Sequence, residues 1–174
     1  MKEKRLISVL AFALICQLVF GLLINVPADE QTIQLGIVAA QDCDTVLVAP
    51  GTYYEKINFL GKEILVASWF MTTGNPDIIT ETIIDGEHNG CVVLFINGEE
   101  SASLNGFTIR NGLSNNGTYG GGISCRNQSA PFLQDLIITN NYGFRGGGIY
   151  CYRSSPVLEN VSIELNKAKY GAGI

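Results

Sequence analysis

Apolar residues along this chain come in short alternating groups: Val46/Val48, Ile64/Val66, Phe107/Ile109, Ile123/Cys125, Leu136/Ile138, Ile149/Cys151 and Val161/Ile163. Gly, Asn, Ser and Pro bound each group. Alternation puts every second side chain on one face, which suits a strand; a helix needs apolar spacings of three and four over a longer window. The pattern therefore predicts many short strands separated by tight corners.

The groups recur in register. Gly-Gly-Gly-Ile at Gly120, Gly121, Gly122 and Ile123 returns at Gly146, Gly147, Gly148 and Ile149, and again as Gly171-Ala172-Gly173-Ile174, a period of about 25 residues. Ser129–Pro131 matches Ser154–Pro156, and Asp135–Asn141 matches Asn160–Asn166, with Gly106–Gly112 a looser copy. Short strands at this period predict an all-β, parallel β-helix, each coil stacked on the next at the strand spacing. The glycines then mark sharp corners where left-handed backbone or tight packing is needed. Asn111, Asn141, Asn160 and Asn166 are expected at the other corners, where stacked asparagines form amide ladders.

Thr32–Ala40 places Ile33, Ile37 and Ala40 at helical spacing, predicting a short N-terminal helix that caps the first coil. Between Trp69 and Thr82 the alternation lapses, and a projecting loop is expected. At the far end, Ile174 begins another strand, so the repeat predicts a domain, residues 29–174, that is incomplete at its C-terminus.

The first residues read differently. Met1–Arg5 is basic, Leu6–Ile24 is an apolar run, and Val26-Pro27-Ala28 offers small residues for a signal peptidase. An export leader over residues 1–28, cleaved after Ala28, is expected, with an uncleaved anchor as the alternative. Ile15 is too bulky to precede a lipidated Cys16. No second apolar run follows, so no membrane span is expected after Ala28.

Composition narrows the function. With a net charge of -5 the chain lacks the basic surface a nucleic-acid partner requires. Cys43, Cys91, Cys125 and Cys151 remain after the expected cleavage; disulfides are open to an exported chain, although buried thiols are favoured. With one histidine, His88, and no Cys-x-x-Cys pair, no metal site and no cofactor are expected. Sequons stand at Asn116, Asn127 and Asn160.

From about Thr32 onward the chain resembles the right-handed parallel β-helix repeat proteins of the pectin-lyase-like superfamily. The resemblance rests on Asp44–Ile57 (DTVLVAPGTYYEKI), Thr82–Gly86 (TIIDG) and Gly106–Gly112 (GFTIRNG). The Gly-Gly-Gly-Ile clusters, with Ile138–Asn141 and Ile163–Asn166, also resemble repeats of chlamydial polymorphic outer-membrane proteins. That resemblance implies a secreted or cell-surface protein, but this fold carries lyases, hydrolases, esterases, adhesins and inert scaffolds alike.

Three acidic arrangements invite a catalytic reading. Gly51–Glu55 (GTYYE) is similar to an early segment of pectinesterases, yet the later aspartates and arginine of that family are not recognisable. Asp85, Glu87 and His88 are adjacent turn residues, which ordinarily splay into solvent instead of converging. Asp42 and Asp44 supply too few oxygens for calcium. No catalytic residue is assigned. A surface reading fares better: if Ile123, Cys125, Ile149 and Cys151 point inward, Arg126, Tyr150 and Tyr152 point outward on adjacent coils, with Arg145 nearby, as a glycan-contact face. The expected function is an exported scaffold or adhesion element whose partner is extracellular polysaccharide or a cell-surface component. The alternative is a carbohydrate-active enzyme.

Overall fold

A computed structural model describes residues 21–114 and 120–174. The part of the expected leader before Gly21 and the sequon at Asn116 lie outside these. Strand β1 (Leu23–Val26) pairs in parallel with β2 (Thr45–Val48), setting Ile24 beside Val46 and Val26 beside Val48. Ile24 and Val26 are buried, and the Leu22 N–H donates to Asp44 Oδ1 at 2.6 Å. Strand β1 thus packs with the fold although it lies before the boundary expected at Ala28. The tail of the apolar run, which reads as leader, alternates like the other strands and supplies core side chains.

Strands dominate the rest. β5 (Leu65–Ser68) lies against β2, β8 (Ser103–Asn105) against β5, and the first half of β11 (Phe132–Thr139) against β8. A second series runs from β3 (Gly51–Tyr54) through β6 (Thr82–Asp85) and β9 (Thr108–Arg110) to the second half of β11. β14 (Val157–Glu164) covers both halves. A separate sheet holds β4 (Ile57–Asn58), β7 (Val93–Phe95), β10 (Ile123–Arg126) and β13 (Ile149–Tyr152); a two-stranded sheet holds β12 (Tyr142–Arg145) and β15 (Lys167–Tyr170). Each of these pairings is parallel and in register.

Parallel register turns the repeat into columns of like side chains. One column runs Ile24, Val46, Val66, Leu104, Leu133 and Leu158; another runs Tyr53, Ile84, Ile109, Ile138 and Ile163; a third runs Ile57, Val93, Ile123 and Ile149. Phe59 and Phe95 fill the interior between columns, ring centroids 4.1 Å apart. Where the two series meet, Asp135 and Asn160 bend β11 and β14 with φ of 53° each, and Asn160 Nδ2 donates to Asp135 Oδ1 at 3.1 Å.

Helix α1 (Ile33–Ala39) begins where expected. Thr32 Oγ1 accepts the Leu35 N–H, and the Glu55 carboxylate accepts the N–H groups of Ile33 and Gln34, both at 2.9 Å. Ile33 and Ile37 are fully buried. At Gly36 the helix comes so close to the sheet that a Cβ would stand 2.8 Å from Val46 Cγ1. The segment from Trp69 to Thr82 is not the plain loop expected. It forms α2 (Phe70–Thr73), stopped by Gly74 at φ 66°, and α3 (Asp77–Glu81), which opens after Pro76. Thr108 Oγ1 donates to the Ile79 carbonyl at 2.8 Å, fastening this insertion to β9.

The glycine clusters answer two demands. Gly120, Gly146 and Gly171 take left-handed φ of 87°, 66° and 63°. The glycines after them sit where neighbouring backbones nearly touch: a Cβ on Gly121 would meet Gly147 O at 2.5 Å, and one on Gly122 would meet Gly148 O at 2.6 Å. Gly122, Ile123 and Ile149 donate their N–H groups to the carbonyls of Gly147, Gly148 and Gly173. Gly122→Ala should therefore destabilise the fold by about 1–3 kcal/mol, measured by urea unfolding. Ile24→Ala should cost about 2–5 kcal/mol; an unchanged midpoint for that variant would show that β1 is not part of the cooperative unit.

Candidate functional site

The corner between β11 and β12 organises the candidate site. Asn111, Asn140 and Leu165 stack there with φ of 56°, 55° and 54°. Asn141 and Asn166, expected to make this turn themselves, stand one residue later and are corrected to an inward role. Asn141 Nδ2 donates to the Ile109 carbonyl and its Oδ1 accepts the Gly112 N–H; Asn166 Nδ2 donates to the Ile138 carbonyl and its Oδ1 accepts the Asn141 N–H at 2.9 Å. Asn141 Nδ2 also reaches Asn166 Oδ1 at 3.1 Å, so the expected amide ladder forms, inside the corner. It satisfies peptide groups that the turn leaves without strand partners.

Outside this corner lies a groove of about 330 Å³, lined by His88, Asn111, Asn140, Tyr142, Leu165 and Lys167. It opens beside the β12–β15 sheet, where Tyr142 pairs with Lys167 and Arg145 with Tyr170. Phe144 and Tyr170 meet edge to face at 5.8 Å. Lys169 Nζ stands 5.2 Å from the Phe144 ring and 5.3 Å from the Tyr170 ring, and the Arg145 guanidinium 5.8 Å from Tyr170. Three cations and three aromatics thus share one small sheet of an acidic chain. Ring faces attract cations and also stack on the C–H faces of sugars, and ammonium and guanidinium groups attract anions.

The residues expected at the glycan-contact face fall in two places. Arg126 pairs with Tyr152 and Ser124 with Tyr150 across β10 and β13, the expected register. Tyr152 is exposed, with the Arg153 guanidinium 5.4 Å from its ring. Arg126 keeps a buried Nε with no hydrogen-bond partner among the described residues. Arg145 stands instead on β12, in the other sheet, over Tyr170. The single expected face becomes two, because the glycine cluster between Arg145 and Ile149 turns the chain from one sheet into the next. Tyr142, Phe144, Lys167, Lys169 and Tyr170 were not anticipated. Aligning Tyr142–Arg145 with Lys167–Tyr170 at the repeat spacing holds the signal that finds them.

The acidic candidates do structural work. Glu55 of the Gly51–Glu55 segment holds the start of α1. Asp44 accepts N–H groups from Leu22 and Gln41, and Asp42 accepts that of Glu63. Glu99, fully buried, accepts the N–H groups of Gly61 and Asn97 and the Ser129 hydroxyl. Asp85 parts from Glu87 and His88: it is buried, bonded by Arg110 Nε at 2.8 Å and by Asn111 Nδ2, while the other two are exposed. Among the described residues no group of three or more His, Cys, Asp or Glu is placed to hold a metal ion. No helix among them is long and apolar enough to cross a membrane.

No family model, no curated protein and no solved structure matches the chain.

Two measurements check the corner. Burial pushes the Asp85 carboxyl up, but the Arg110 pair and the Glu87 N–H and Asn111 hydrogen bonds outweigh it, leaving the group below its ordinary 3.8. A depressed folded value means the contribution is complete above the unfolded value and is lost as pH falls through the folded one. Asp85→Asn should therefore lower stability at pH 7 and make the remaining stability less sensitive to acid below about pH 4. Leu165 holds left-handed backbone without the short polar side chain that eases it at Asn111 and Asn140. Leu165→Asn should stabilise the protein by up to about 1 kcal/mol in a urea titration.

Proposed function

We propose that this chain folds as a right-handed parallel β-helix of the pectin-lyase-like kind, exported to the cell surface or the medium. There it serves as a scaffold or adhesion element that binds acidic polysaccharide without cleaving it. The observation that carries the reading is the grouping of Tyr142, Phe144 and Tyr170 with Arg145, Lys167 and Lys169 on two adjacent strands. Successive residues along a strand and equivalent residues across it make a two-dimensional array, suited to an extended polymer more than to a small ligand. The engagement of Glu55, Asp44, Asp85 and Glu99 with backbone and ion-pair partners supports binding over hydrolysis, since those groups already have firm structural uses.

Binding of the full chain to polygalacturonate, compared with neutral dextran, tests the proposal. Polygalacturonate should bind and weaken as salt rises, because exposed charges are screened. Arg145→Ala/Lys167→Ala/Lys169→Ala should weaken it at least tenfold with the fold intact by circular dichroism. Tyr150→Ala/Tyr152→Ala separates the second face, and unchanged binding there assigns contact to β12 and β15 alone. Release of unsaturated or reducing ends from the polymer would overturn the proposal in favour of the enzyme reading.

A further inference from the structure

A pair of thiols stands on the paired strands β10 and β13. Cys125 on β10 and Cys151 on β13 are in-register partners on neighbouring parallel strands, and both alternate with the inward residues Ile123 and Ile149. Neighbouring strands lie ~4.8 Å apart, inside the Cα separation of about 4.4–6.8 Å that a disulfide spans. Their settings differ in a directed way. Cys125 is fully buried; Cys151 is exposed; both are free thiols. Ser154, whose hydroxyl donates to the Cys125 carbonyl at 2.8 Å, follows Cys151 at the turn.

We propose that Cys151 and Cys125 act as an attacking and resolving pair toward small-molecule disulfides, ending as a covalent clasp between two neighbouring passes of the chain. The Cys151 thiolate attacks one sulfur of the small disulfide, forming a mixed disulfide and expelling one thiolate. Cys125 then gives up its proton and attacks the Cys151 sulfur, expelling the second thiolate. Two protein thiols are oxidised to one disulfide, and one small disulfide is reduced to two thiols, with the two protons going to the expelled thiolates.

Electrostatics agrees with the order of attack. The hydrogen bond from Cys125 lowers the Cys151 thiol to about 7 against the opposing pull of burial, with Ser154 adding to the lowering. That same hydrogen bond, then burial, pushes Cys125 well up. The exposed sulfur is thus the better nucleophile at neutral pH and the buried one is held in reserve. Cys91 provides a contrast. Its sulfur is bonded to the Val93 and Gly122 carbonyls, and burial pushes its thiol up to about 12. The clasp stands or falls independently of polysaccharide binding.

The test is reaction of the full chain with excess oxidised glutathione at pH 7.5, acid quench, and peptide mapping by mass spectrometry. Wild type should yield a Cys125–Cys151 crosslink with two glutathione molecules released, no adduct retained, and Cys91 unmodified. Cys125→Ala and Cys125→Val should each retain glutathione on Cys151. Cys151→Ser should leave Cys125 unmodified over the same time, at least tenfold slower than wild-type crosslinking. Cys43 is disulfide-bonded in the structure and is left out of the comparison; a wild-type chain that keeps a stable adduct on Cys151, leaves Cys125 and Cys151 unreacted, or crosslinks Cys91 overturns the proposal. Because wild-type mapping decides this alone, unfolding of a core variant leaves the outcome readable.

Discussion

In-register parallel stacking is the constraint on which everything else depends. Each strand must present to its neighbour a backbone it can pair with and a side chain that its partner's side chain can rest on. The column from Ile24 to Leu158 shows the result: every rung is aliphatic, and every rung covers the one before. A β-sheet with one wet face can vary its inward residues independently. Here each inward residue is sandwiched between its own equivalents, so shape errors are passed to the next rung.

The corners follow from that constraint. A chain that must return to the same strand after each pass has to turn sharply, and turning leaves peptide groups without strand partners. The molecule satisfies them with short side chains and carboxylates. Asn141 and Asn166 each bond a carbonyl and an N–H on adjoining passes. Glu55, Glu63 and Glu99 each gather two backbone N–H groups. The exposed cations on β12 and β15 stand in contrast to the acidic composition of the chain.

Much of this was legible in the sequence because its causes are local and repeated. Alternation found the strands, the glycine period found their register, and Ile33, Ile37 and Ala40 located the helix. What escaped was not local. Leu23–Val26 has the alternation of a strand, but it follows a longer apolar run, and only pairing with Thr45–Val48 separates the two readings. The Phe70–Glu81 insertion folds around Gly74 and Pro76 with no repeat to align it. Choosing Asn141 over Asn140 as the left-handed residue failed because two adjacent asparagines carry the same propensity, and the stacking of Gly112 on Asn141 decides between them. Arg145, expected near Tyr150 and Tyr152, stands on a different sheet from them, since a turn of three glycines does not reveal its angle.

The glycine clusters have a consequence for how such a chain can change. The face that Gly147 and Gly148 present to Gly121 and Gly122 resembles the one that Gly171–Gly173 presents in turn to Gly147 and Gly148. Duplication of one whole unit between them would create no new kind of contact, because the added piece meets on both sides the surface it already fits. Insertion of a single residue would shift every following column off its rungs. Genetic variation in length is therefore filtered by size: whole repeats pass, and fractions of one do not.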